Sequence, residues 1–169
     1  MRFTKIMAAA LLAASSGCSL YSWRPEVPEG ARTVAVSTFR NEGDVTEMGP
    51  VVARQVLREF EREGTYKIAT LADCALEVQG YIKKSAGSSV TAYERRTGAR
   101  NRERRFNVTA VVSFIDKRNG KVLVNDRRYT ASTTFLVNDD TVTGERDASG
   151  RLAEDLARQI VDDALSLKW

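Results

Sequence analysis

The chain has 169 residues, with 26 basic and 22 acidic side chains, two cysteines and no histidine. Without histidine there can be no Ser-His or Cys-His nucleophile pair and none of the commonest zinc sites. GxxxxGK[ST], GxGxxG and CxxC motifs are absent too, so no enzyme, metal or cofactor is expected.

The first segment, MRFTKIMAAALLAASSGC, opens with Arg2 and Lys5. Nine apolar residues follow (Ile6 to Ala14), then the small residues Ser15 to Gly17. That order predicts a secretory signal peptide over 1–17, and its apolar run is far short of the ~20 residues needed to span a bilayer. Two endings fit. An ordinary cut would leave Cys18 as a thiol or disulfide partner. Alternatively SSGC resembles a bacterial lipobox, with Ser15 where Leu is usual, and Cys18 would be acylated on sulfur and nitrogen. The second is favoured, because SLYSWRPEVPEG reads as a tether over 18–30. Each buried methylene contributes about 0.8 kcal/mol, so several acyl chains anchor durably. Ser19 rather than Asp after the cysteine resembles the sorting rule for the outer membrane. Loss of Arg2 and Lys5 lowers 26 basic residues to 24 against 22 acidic, a net +2 that gives no argument for nucleic acid. With Cys18 acylated, Cys74 in LADCALEV is expected to be a buried, unpaired thiol.

Residues 31–169 are long enough for one domain. TVAVSTF (33–39) is a short β-branched strand. From Pro50, Val52, Val56 and Phe60 recur at helical spacing with Ala53 and Leu57, and Gly64 stops the helix. YKIAT follows, then ALEVQGYIKK, with Leu76, Val78, Gly80 and Ile82 on one strand face. FNVTAVVSFID alternates strictly, placing Phe106, Val108, Ala110, Val112 and Phe114 together. Asn119–Gly120 signals a hairpin, and the return strand shares Tyr129, Ala131, Thr133 and Phe135 on a face. Leu152, Leu156, Ile160, Ala164 and Leu167 mark a closing helix over 149–169. Asp139–Asp140 and Asp162–Asp163 read as solvated loop and helix-face residues. The expected fold is α+β: a two-layer sandwich of order β-α-β-β-β-α, two helices on one face of a mixed four-stranded sheet. Phe60, Val112 and Ile160 are expected inside it.

PEGARTVAVSTFRN, PVVARQVLREFEREGTYKI, ADCALEVQGYIKK and NVTAVVSFIDKRNGKVLVNDRRYTASTTF, behind a lipobox and before a last helix, resemble the LptE-type lipopolysaccharide-assembly outer-membrane lipoproteins. The resemblance implies a non-catalytic, lipid-anchored subunit facing the periplasm. It would lie partly inside the outer-membrane β-barrel LptD, assist its assembly and contact lipopolysaccharide. A second reading is a lipoprotein regulator or secretion component of the penicillin-binding-protein-activator or curli-secretion kind, whose openings also look like TVAVSTFRN.

One stretch has no counterpart in that resemblance. Residues 94–105 hold Arg95, Arg96, Arg100, Arg102, Arg104 and Arg105 against Glu94 and Glu103, a net +4, with Lys83 and Lys84 upstream. Read as a loop, it has three roles open to it. It could be solvated charge that keeps a sheet end unpaired. It could contact lipopolysaccharide phosphates and acidic sugars, since guanidinium forks grip phosphate with two hydrogen bonds. It could also pair with acidic groups of a partner barrel.

Overall fold

The computed structural model describes residues 27–42, 48–84, 90–94, 100–137 and 141–169. A short 3-10 turn, Glu29–Ala31, leads into β1 (Thr33–Val36) and β2 (Arg40–Glu42). Then follow α1 (Met48–Glu63), β3 (Lys67–Ile68), β4 (Leu76–Lys84), β5 (Val90–Glu94), β6 (Arg100–Asp116), β7 (Lys121–Val137) and α2 (Thr141–Leu165). The helix expected from Pro50 is α1. Its N-terminal turn is held by the Asn41 side chain, which accepts the Gly49 N–H at 2.7 Å. Gly64 closes it in the left-handed region at φ 79°.

The expected α+β arrangement is present, but among the described residues the sheet has seven strands rather than four. The four expected columns are β1, β4, β6 and β7. β2 continues the β1 column beyond a bend at 37–39, and both run parallel to β4. β3 adds two residues beside β1. β4 and β5 both pair antiparallel with β6, on the side opposite β7. β2 and β5 come from interruption of long columns, which period-2 counting over short windows does not see, and β3 is a two-residue edge strand too short for any periodicity. β7 follows β6 along almost its whole length, through a four-residue turn in which Gly120 takes φ 71°.

One face of this sheet carries the core. Val34, Leu76, Val78, Ile82, Val108, Ala110, Val112 and Phe114 pack against Val52, Val56 and Phe60 of α1 and Leu152, Leu156, Ile160 and Ala164 of α2. Burying each of the larger side chains contributes roughly 1.5–3 kcal/mol. Phe60, Val112 and Ile160, the three expected core markers, are all fully buried. The core also takes in Val27, inside the segment expected as tether.

Two expectations change. α2 starts eight residues earlier than the pattern from Ser149 predicts. The helix runs through Gly144 and Gly150, and Ala148, between them, is fully buried. Asp163 is not a solvated-face residue: it accepts a hydrogen bond from Tyr129 OH and sits 2.8 Å from Arg127 Nε. This ties α2 to β7 and removes the conflict between a free carboxylate and the C-terminal end of the helix dipole. Burial, and then the Asp163 carboxylate, push the Tyr129 phenol well above its ordinary range. Asp139 and Asp140 lie outside the described residues.

Candidate ligand and partner surface

From Arg100 onward the arginine stretch lies in strand β6 rather than in a loop, antiparallel to β5. Glu94, Ala92 and Val90 of β5 stand opposite Arg100, Arg102 and Arg104 of β6. β7 borders the same segment, with Val137 opposite Arg102, Phe135 opposite Arg104 and Thr134 opposite Arg105. Arg105 is exposed. Arg95 and Arg96, like Cys18, lie outside the described residues. The physical reason for the strand is neighbour pairing. β6 continues past its apolar part because β5 and β7 satisfy its backbone groups on both sides, so arginines occupy strand positions that propensity alone would leave irregular.

Alternate strand positions lie roughly 6.6–6.8 Å apart, so the backbone carries Arg100, Arg102 and Arg104 as an evenly spaced row. Folding has already met the cost of ordering that backbone, which a loop would still have to meet on binding a ligand. Lys83 and Lys84 are the last residues of β4, opposite Thr109 and Val108. Lys83 is already engaged, 3.6 Å from Glu42 Oε2 and 5.3 Å from the centre of the Tyr81 ring. Thus β6 brings four of the arginines onto one strand end, with the lysines a few rungs away on the neighbouring column.

At the other end of the sheet the β6–β7 turn carries a different charged group. Asp116 is almost wholly buried and takes both a backbone and two side-chain hydrogen bonds from Arg118, at 2.7–3.0 Å. Arg118 in turn lies over the Trp169 ring at 5.0 Å. The Arg118 hydrogen bonds hold the Asp116 carboxyl below its ordinary range in spite of burial. This is a structural latch, because the buried Asp116 charge faces Arg118, whose half-exposed side chain closes over it.

Cys74 is buried, and burial raises its thiol above the ordinary range. That disfavours the thiolate that redox or nucleophilic chemistry needs. No helix among the described residues is long and apolar enough to cross a membrane.

The family model for LptE, described as lipopolysaccharide-assembly, matches residues 31–164. The chain belongs to that family. No curated protein matches it. Among solved structures, a protein from Xanthomonas campestris is similar at 11% identity and a TM-score of 0.56, covering 86% of this chain and 89% of that one. A lipoprotein B from Nitrosomonas europaea is similar at 14% identity and a TM-score of 0.53, over 89% and 91% of the two chains. A lipoprotein from Caulobacter crescentus is similar at 14% identity and a TM-score of 0.52, over 80% and 89%. These likenesses establish a shared fold, and the family match supports a role in lipopolysaccharide assembly.

Proposed function

We propose that this chain is a non-catalytic lipoprotein subunit of the lipopolysaccharide transport complex of the outer membrane. In this reading residues 1–17 are removed as a signal peptide and acylated Cys18 anchors the mature chain to the periplasm-facing leaflet. The domain lies partly in the lumen of an LptD-type barrel, assists its assembly and contacts lipopolysaccharide in transit. The observation that carries the reading is the family match across residues 31–164. The pairing of β6 with β5 and β7 supports a contact role over solvated charge, because arginines on a strand-held backbone meet phosphates without further ordering of that backbone.

The test is detergent extraction of the native protein. A large outer-membrane barrel should co-purify, and metabolic lipid labelling should mark the wild type but not Cys18→Ala. Replacing Arg100, Arg102, Arg104 and Arg105 together by Gln should weaken binding to purified lipopolysaccharide. That binding should also weaken with added salt, since exposed charges are screened over about 8 Å at physiological ionic strength. Several arginines must be changed at once, because one exposed ion pair contributes only about 0–1 kcal/mol. Absence of any barrel partner would overturn the reading. A cluster variant that keeps full lipopolysaccharide and barrel binding would return the hairpin to solvated charge.

A further inference from the structure

On the sheet face away from the helices, two interruptions of the strands meet at one level. β1 pairs with β4 through Val78 and β2 resumes at Tyr81, so the bend at 37–39 leaves Gln79 and Gly80 without a ladder partner in that column. On the other side, the β6–β7 register shifts between Val112 and Phe114. The displaced Asp126 takes φ 49°, and its N–H donates to Ser113 Oγ at 2.9 Å. Gln79 pairs with Ser113, and Gly80 with Val112. Bend and bulge therefore flank the same rungs of the β4–β6 ladder. Bulges of this kind re-aim side chains and concentrate beside binding sites.

Between the interruptions lies a cleft of about 430 Å³. Val111 and Ser113 form its buried floor, and Arg40, Gln79, Tyr81 and Asp126 line it. Arg40 and Asp126 come from β2 and β7, three strand spacings or about 14 Å apart at the backbone. Neither forms an ion pair with a described residue. Among the described residues, the cleft therefore offers a cation, Arg40, and an anion, Asp126, that stand outside any ion pair, the Asp126 Oδ1 taking only a long hydrogen bond (3.5 Å) from Ser113 Oγ. An isolated phosphate would gain Arg40 and face Asp126, and the nearby Lys83 is already committed to Glu42.

A hydroxyl-rich neutral ligand can use both charges. Its hydroxyls accept from a guanidinium, donate to a carboxylate, and do either with the Gln79 amide. The Ser113 hydroxyl is held in the bulge, accepting the Asp126 N–H and lying 3.4–3.5 Å from Asn125 Oδ1 and Asp126 Oδ1. Tyr81, half-buried and with Lys83 Nζ over one side of its ring at 5.3 Å, offers its other side to the C–H face of a sugar ring. We propose that this cleft binds an uncharged, pyranose-containing saccharide. The inference goes beyond the transport reading, since it rests on the cleft's own residues and holds whatever barrel surrounds the chain. The same sugar chemistry is carried by the glycan part of lipopolysaccharide and by cell-wall glycan.

The experiment titrates the full mature protein with two probes and follows backbone amide resonances and heat. One probe is the neutral part of the lipopolysaccharide oligosaccharide, lipid-free, dephosphorylated and stripped of acidic sugars; the other is peptide-free cell-wall glycan with its lactyl carboxylates reduced to alcohols. Binding of at least one, with shifts at Gln79, Tyr81 and Ser113, supports the proposal, and the probe that binds identifies the source. Tyr81→Ala and Asp126→Asn should each weaken it about tenfold, the factor equivalent to about 1.4 kcal/mol. Asn tolerates the left-handed backbone at 126, so the bulge survives that change. Arg40→Gln, at an exposed position, replaces Tyr81→Ala if the latter fails to fold. Silence with both probes, binding indifferent to these variants, or competition by inorganic phosphate would overturn the proposal. Barrel co-purification measured on the same preparations reports on the transport reading separately.

Discussion

Phe60 is the side chain on which the two helices and the short β3 edge converge. It is fully buried, and its ring meets Tyr66 edge-on, with centroids 5.5 Å apart and planes at 78°. Tyr66 OH donates to the Ala164 carbonyl at 3.0 Å, so the contact runs from α1 through Tyr66 to the last turn of α2. Phe60→Ala removes a whole ring from this junction. Such truncations cost about 3–5 kcal/mol in well-packed cores, and an aromatic pair contributes about 0.5–1.5 kcal/mol of the interaction beyond area alone. For a domain of this length each kcal/mol lowers Tm by roughly 3 °C, so the expected drop is about 10–15 °C. Thermal unfolding followed by far-UV circular dichroism measures it. Tyr66→Phe serves as the companion, keeping the ring and losing only the hydrogen bond, at about 1 kcal/mol. A Phe60→Ala shift under about 3 °C would refute the assignment of this helix face, and equal shifts in the two variants would refute the weight given to packing over the hydrogen bond.

Gly80→Ala should be destabilising by about 1–3 kcal/mol, because a Cβ there would stand 2.4 Å from the Val111 carbonyl oxygen and 3.3 Å from the Phe39 ring. Gly150→Ala, in α2 with nothing within 4 Å of the new atom, should instead stabilise by about 0.5–1 kcal/mol, and urea midpoints distinguish the two signs. Asp116 gives a pH dependence. Its folded pKa lies below the unfolded value, so its contribution is fully present above the ordinary carboxylate range and is lost as pH falls through it. Asp116→Asn should therefore lower the urea midpoint at pH 7 and flatten its decline as pH falls below about 4, the ordinary carboxylate value, and an unchanged slope there would remove Asp116 from the acid limb.

The parts of this fold that were legible in the sequence are those in which one periodicity runs unbroken beside one buried face. Val52, Val56 and Phe60 at helical spacing, and Val108, Ala110, Val112 and Phe114 at period two, carried α1 and the middle of β6 without help from their neighbours. The rest depends on partners distant in the chain. Arg100, Arg102 and Arg104 keep the even spacing of Phe106 to Phe114, and that continuity was the available signal. Charge concealed it, because a strand is normally recognised by apolar alternation. Asp163 looked solvated on its own helix, and only the approach of Tyr129 and Arg127 on β7 makes it a bonded group. The cleft was not legible. It needs the bend after Val36 and the bulge at Asp126 to meet across β4 and β6, a coincidence of register that no local pattern encodes.

Element lengths explain where the unabsorbed charge ends up. A 17-residue strand such as β6 extends about 56 Å, whereas the 16 residues of α1 reach about 24 Å and the 25 of α2 about 37 Å. The helices therefore cannot cover the full length of the strands, and the apolar row that needs covering runs only from Phe106 to Phe114. Beyond it β6 stays paired on both sides through β5 and β7 while its sequence turns to arginine. The backbone bonding that keeps this end a sheet is thus separate from the burial that stabilises the core. That separation lets the arginines vary in number or sign with little effect on folding. It is also why the cluster substitution tests contact with a ligand or partner rather than stability.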